Sequence, residues 1–174
     1  MKFPNVWNSP DERFKEILKA YMFFSNEENK LIHKDSFRYH TKALFENGRV
    51  YCSKKAWDSL KDCKYFPIEI MSRLEKGEMQ NVYLQNKLYD LKQKTKISLV
   101  WEHVVPFDVI FDKFLKNPTK ENYINLLNLG VVCIITKDED KELSDKKLSG
   151  KMPGNWDGKD IWARYNSVGI AIVK

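Results

Sequence analysis

The stretch Ile97-Ser98-Leu99-Val100-Trp101-Glu102-His103-Val104-Val105-Pro106 decides how this chain is read. It is an apolar, β-prone run that stops at a proline, and it predicts a strand over residues 97–105. Within it Glu102 stands directly beside His103. A carboxylate can hold a hard divalent cation, and an adjacent imidazole can take a proton from water near neutral pH. On a regular strand the two side chains point to opposite faces, so they share one cleft only where the strand bends or ends. If they do, the pair suits metal-assisted hydrolysis of a phosphodiester.

Downstream, the aromatic-rich segment from Phe107 to Leu115 is helical in composition. Thr119 is placed to cap a second helix carrying Tyr123, Ile124, Leu126 and Leu127, closed by Gly130. Val131 to Ile135 is a continuous apolar run and predicts a buried strand. Thr136-Lys137-Asp138-Glu139 is a capping box, so a helix starts at once and runs through Leu143 to about Leu148. Lys151 to Lys159 reads as a loop, and Val168 to Val173 as a closing strand. The order is strand, helical insertion, strand, carboxylate-rich helix: a ββα unit with helices between its strands.

Upstream, Ser9-Pro10-Asp11-Glu12 is a capping box ahead of Phe14, Ile17, Leu18, Tyr21 and Met22 at helical spacing. Asn47-Gly48 marks a turn before a short strand, Arg49 to Cys52. Ser53 then caps a helix to about Lys61, with Ala56, Trp57 and Leu60 facing inward. A long helix opens at Pro67, and its exposed side carries Lys87, Lys92, Lys94 and Lys96. Those lysines form either a solvated face or a line of phosphate contacts.

The predicted class is therefore α+β, with a mainly helical half (1–96) followed by the ββα half (97–174) in one compact unit. The chain has 174 residues, 43% of them hydrophobic and 13% aromatic, enough for a real core. No apolar run reaches the roughly 20 residues of a membrane helix, and Met1 to Asn5 lacks the apolar stretch of a signal peptide. Cys52, Cys63 and Cys133 show no C-x-x-C spacing, which fits reduced thiols in a cytoplasmic protein. Residues 1–96 carry 19 Lys+Arg against 13 Asp+Glu, whereas residues 97–174 carry 11 of each. A basic half beside a balanced one fits a platform for a polyanion, with no membrane partner.

Glu102-His103-Val104-Val105-Pro106 resembles the first-strand motif of the HNH, or ββα-metal, endonuclease family. Asn128-Leu129, with Cys133 five residues after the asparagine, is similar to that family's middle position. The helix after the second strand looks like its metal-binding helix, with Asp140 where a histidine is usual. His33, His40 and His103 are the only histidines, so here the chain departs from the family. The resemblance implies a metal-dependent endonuclease acting on DNA, of a restriction, phage or defence type. It implies Glu102 and Asp140, or Asp138 close by, as ligands of one Mg²⁺ or Mn²⁺ ion. His103 would be the general base, Asn128 the residue orienting its loop, and Arg164 the group on the phosphate, unless Arg164 is instead stacked or ion-paired. Strand-by-strand cleavage would call for a homodimer. The competing expectation is a nucleic-acid-binding or interaction protein whose ββα unit is degenerate and does no chemistry.

Overall fold

A computed structural model describes residues 50–65 and 91–173, together with residues 14, 15, 18, 34, 37, 38, 71 and 89. Three strands form one mixed sheet: β1 (Val50–Cys52), β2 (Leu99–His103) and β3 (Val132–Thr136). β3 is central, with β1 parallel on one side and β2 antiparallel on the other. A central strand covered on both faces cannot alternate polar and apolar residues. Val132 to Ile135 accordingly reads as one apolar run, and all four are buried.

The helices that lie wholly among the described residues are, in chain order, α1 (Lys54–Lys61), α2 (Phe107–Lys116), α3 (Lys120–Leu127), α4 (Lys137–Asp145) and α5 (Ala163–Asn166). Strand alternation divides the side chains between two cores. On one face Val50, Cys52 and Ile134 pack with Ala56 and Leu60 of α1 and with Met71 and Leu91, while Leu99 and Trp101 close the edge. On the other, Cys133 and Ile135 pack with Leu143 of α4 and with Tyr165 of α5. The insertion α2–α3 builds a third core of its own around Phe37, whose ring lies 4.8 Å from Phe114 and 5.4 Å from Phe111.

Three helix starts follow their sequence signals. Ser53, Thr119 and Thr136 each accept a backbone N–H three residues on, from Ala56, Asn122 and Glu139. At Thr136 the capping box is complete, because Glu139 also accepts the Thr136 N–H at 2.8 Å.

Three boundaries differ from the sequence reading. β2 stops at His103, and Val104 and Val105 leave the ladder although both are fully buried. Val104 joins the α4–α5 core and Val105 the insertion core, so apolar character there serves two cores instead of extending the strand. α4 ends at Asp145, not near Leu148. Lys147 takes a left-handed φ of 60°, while Leu148 N–H bonds back to Leu143 and Lys147 N–H to Ser144. That is a Schellman stop with a lysine in the position glycine usually holds, and Leu148 buries against Leu143 to secure it. The strand expected over 168–173 reduces to one bridge, Ser53 with Ile172. The chain reaches it only after α5 and a turn at Gly169, whose φ is +75°.

The sheet spans residue 96, since β1 and α1 come from the first half and pair with the second. The helices read over 9–25 and 67–91 lie largely outside the described residues. Phe14, Lys15, Leu18, Met71, Tyr89 and residues 91–94 are helical. Among the described residues no helix is long and apolar enough to cross a membrane.

Candidate functional site

Antiparallel register sets Glu102 opposite Cys133 and His103 opposite Val132. Alternation therefore gives Glu102 to the α4–α5 face, with Val100, and His103 to the other face, with Trp101. The two neighbours diverge, but they are the last two residues of the ladder. Immediately beyond them Val104 N–H bonds to the Val131 carbonyl at 2.9 Å, tying the strand exit to the entry of β3.

Arg164 organises that exit. It is fully buried, and one guanidinium nitrogen, Nη2, donates to Glu102 Oε1 at 2.6 Å and to the His103 carbonyl. The other, Nη1, donates to the carbonyls of Leu148 and Ser149 at 2.9 and 3.1 Å. The Schellman stop of α4 is what turns those two carbonyls toward it. Arg164 thus clamps the end of β2 to the end of α4, using the planar fork that a lysine lacks. The expectation of a phosphate contact is replaced by the ion-paired alternative: this guanidinium is committed inside the protein and has no exposed surface.

Glu102 is only 20% exposed at its side chain. Burial raises its pKa above the ordinary carboxylate value, Arg164 pulls it back, and the negative charge of Asp140 raises it further. Asp140, half-buried in the first turns of α4, is therefore the carboxylate that Glu102 feels, whereas Asp138 is exposed and does not figure in that balance. Glu102 uses one oxygen on Arg164, and the Asp140 carboxylate has no hydrogen bond or ion pair among the described residues. No group of three His, Cys, Asp or Glu converges on a metal position among the described residues. Glu102 and Asp140 are the two carboxylates of this site that could contribute oxygen ligands to a divalent cation. The remaining ligands would be water and phosphate oxygens, which is Mg²⁺'s usual habit.

The other sequence candidates are dispersed. Asn128 is the exposed C-cap of α3, and its side chain makes no hydrogen bond among the described residues. Lys92, Lys94 and Lys96 are exposed at and just after the helical turn 91–94, while Lys87 lies outside the described residues.

Sequence reasoning missed a second carboxylate site. Glu139 is 1% exposed, and its Oε2 accepts from Ser53 Oγ at 2.6 Å, Thr136 N at 2.8 Å and Thr136 Oγ1 at 3.1 Å. The capping box announced the local half of this network. The Ser53 half joins residues 86 apart, for which no local pattern exists.

Comparison of the chain with protein-family models, with curated proteins and with solved structures found no match.

Proposed function

We propose that this chain is a metal-dependent phosphodiester hydrolase acting on DNA, with its site at the exit of β2. The observation carrying the reading is the antiparallel β2–β3 pair followed at once by capped α4. Together they bring Asp140 within electrostatic reach of Glu102, one residue before His103. A phosphodiester laid across the strand exit would meet the carboxylate pair on one side and the imidazole on the other.

In this reading His103 takes the proton of the attacking water. Glu102 and Asp140 hold one Mg²⁺ or Mn²⁺, which when bound supplies charge neutralisation at the phosphorus and the departing oxygen. Arg164 touches no substrate. It fixes the Glu102 carboxylate and the His103 backbone carbonyl, and so limits the freedom of that carboxylate and of the strand end that carries His103. The exposed lysines at 92, 94 and 96 would attract the polyanion, a restriction or defence role would suit such an enzyme, and a homodimer would be needed to cut both strands.

Incubation of the purified protein with supercoiled plasmid tests this directly. Nicking should require Mg²⁺ or Mn²⁺ and stop with chelator. His103→Ala should slow it by at least about 100-fold, the scale of general-base loss, with DNA affinity retained. Undiminished nicking by His103→Ala would overturn the assignment. One observation favours a second reading: Arg164 already supplies Glu102 with a cation. DNA binding without any metal-dependent nicking would select a non-catalytic nucleic-acid-binding protein with a degenerate ββα unit.

A further inference from the structure

α5 has two sides with different work. Arg164 and Tyr165 point inward and are buried, while Trp162 and Asn166 line a cavity of about 320 Å³ with Tyr51, Asp160, Ile170 and Ile172. Trp162 and Asn166 are one helical turn apart, linked by Asn166 N–H to the Trp162 carbonyl at 2.8 Å. The Trp162 ring packs edge-on against Tyr51, with centroids 5.1 Å apart and planes at 79°. It is also packed against the sheet core, so this aromatic wall is held in place.

The rim is polar and equally ordered. Asp160 Oδ1 accepts the Trp162 N–H at 2.9 Å, and Oδ2 accepts from Asn166 Nδ2 at 3.4 Å. No cation pairs with Asp160 among the described residues. A carboxylate without a cation repels phosphate and, with a lone pair left on each oxygen, still accepts N–H donors, and an indole beside a phenol ring offers a surface for a flat π-system. The volume lies at the lower end of the roughly 300–1,000 Å³ range of small-molecule sites, room for a base with its sugar and little more. An aliphatic ammonium would pair with the carboxylate and gain cation–π attraction from the indole, but would cover less of the flat aromatic wall than a base does.

We propose that this cavity takes an unpaired nucleobase with N–H donors on its edge, guanine fitting best. Guanine presents N1–H and N2–H side by side, matching the two oxygens of Asp160, while its ring stacks in the aromatic pocket. The inference rests on the hydrolase reading and deepens it. It places a base-reading pocket on the outer side of the helical turn whose inner side clamps Glu102, so the nucleic acid bound there has a single-stranded or extruded nucleotide.

The test is titration of the full chain with guanosine, adenosine, cytidine and uridine, followed by NMR shift changes or equilibrium dialysis. Nucleosides have no phosphodiester, so binding is read independently of cleavage. Guanosine should bind tightest, and Trp162→Ala should weaken it by about tenfold or more, the scale of one lost base–aromatic stack. Asp160→Asn keeps an oxygen for the Trp162 N–H but loses the second acceptor and with it the Asn166 contact, and should lower guanosine affinity in a protein that still melts cooperatively. That variant keeps the idea testable if Trp162→Ala does not fold. Absence of saturable binding by any nucleoside, or equal affinity in Asp160→Asn, overturns the proposal. Equal binding of all four nucleosides overturns its carboxylate-edge basis. Guanosine binding by a protein that never nicks plasmid defeats the hydrolase reading alone, and nicking without guanosine binding defeats this one alone.

Discussion

Glu139 and Glu102 are both largely buried carboxylates that flank the central strand β3, one on α4 and one on β2, and their surroundings differ in kind. Glu139, just past the C-terminal end of β3, is 1% exposed and accepts three hydrogen bonds on one oxygen, from Ser53 and from Thr136 twice. Two helix N-termini, those of α1 and α4, meet at it through their caps, Ser53 and Thr136. Glu102, across from Cys133 near the start of β3, has one cation on one oxygen and feels the negative charge of a second carboxylate, Asp140. Glu139 has what a structural charge needs, whereas Glu102 keeps capacity to bind something more. The fold is built around the first, and function is best sought at the second.

The largest test of that contrast is Arg164→Met. It would leave Glu102 in its pocket with no cation, and four acceptors of two segments without their donor. Breaking one side of a buried pair costs about 3–5 kcal/mol, and urea unfolding should show a loss of that size. Arg164→Met with Glu102→Gln should recover part of it, because the stranded charge is gone. A single-variant loss below about 1 kcal/mol would break the comparison, since it would make Arg164 an ornament of the site instead of its clamp.

Next in size is Glu139→Ala, which removes three charge-assisted bonds at one point. A loss of about 3 kcal/mol is expected from hydrogen bonds to a charged group in a dry site. Ser53→Ala removes the long-range bond and the α1 cap and should cost about 1–2 kcal/mol. Neither change should alter plasmid nicking once the protein is folded, measured below the lowered melting temperature. Loss of nicking by a folded Ser53→Ala protein would show that the two carboxylate sites are coupled and not separate.

The same contrast explains what could be read from the chain. Caps at Ser53, Thr119 and Thr136 were legible because donor and acceptor lie three residues apart. The strands and the intervening insertion were legible because β3 is apolar throughout and the apolar run at 97–105 ends at a proline. Arg164 was not, because its partners lie 15, 16, 61 and 62 residues away. Trp162-Ala163-Arg164-Tyr165 shows only that a guanidinium has aromatic neighbours, which suits a phosphate contact and an internal ion pair alike. Which of Asp140 and Asp138 acts on Glu102 electrostatically was likewise undecidable from spacing, since one helical turn holds both and the packing of α4 beside β2 decides it. Val104 and Val105 misled for a related reason: buried apolar residues look the same in a ladder or beyond it.

The smallest effect is the most diagnostic, because its sign differs. Burial holds the Glu102 carboxyl above its ordinary pKa, Arg164 opposes this and Asp140 adds to it. A carboxyl raised on folding contributes stability below the ordinary carboxylate range, and that contribution is lost as pH rises through the folded value. Ionised Glu102 is thus a cost at neutral pH, and Asp140 enlarges it. Asp140→Asn should therefore stabilise the chelator-treated protein, by a few tenths to about 1 kcal/mol near neutrality. The gain should vanish in acid, where Glu102 is protonated in both proteins and has no charge for residue 140 to oppose. Thermal melts across that pH range check the sign. A variant that is more stable yet no longer nicks plasmid would mark Asp140 as a residue kept at a cost to the fold, the behaviour expected of a ligand and not of a helix-end charge. If Asp140→Asn is instead destabilising at neutral pH, the carboxylate serves α4 through its macrodipole, and the Glu102 site has lost its second member.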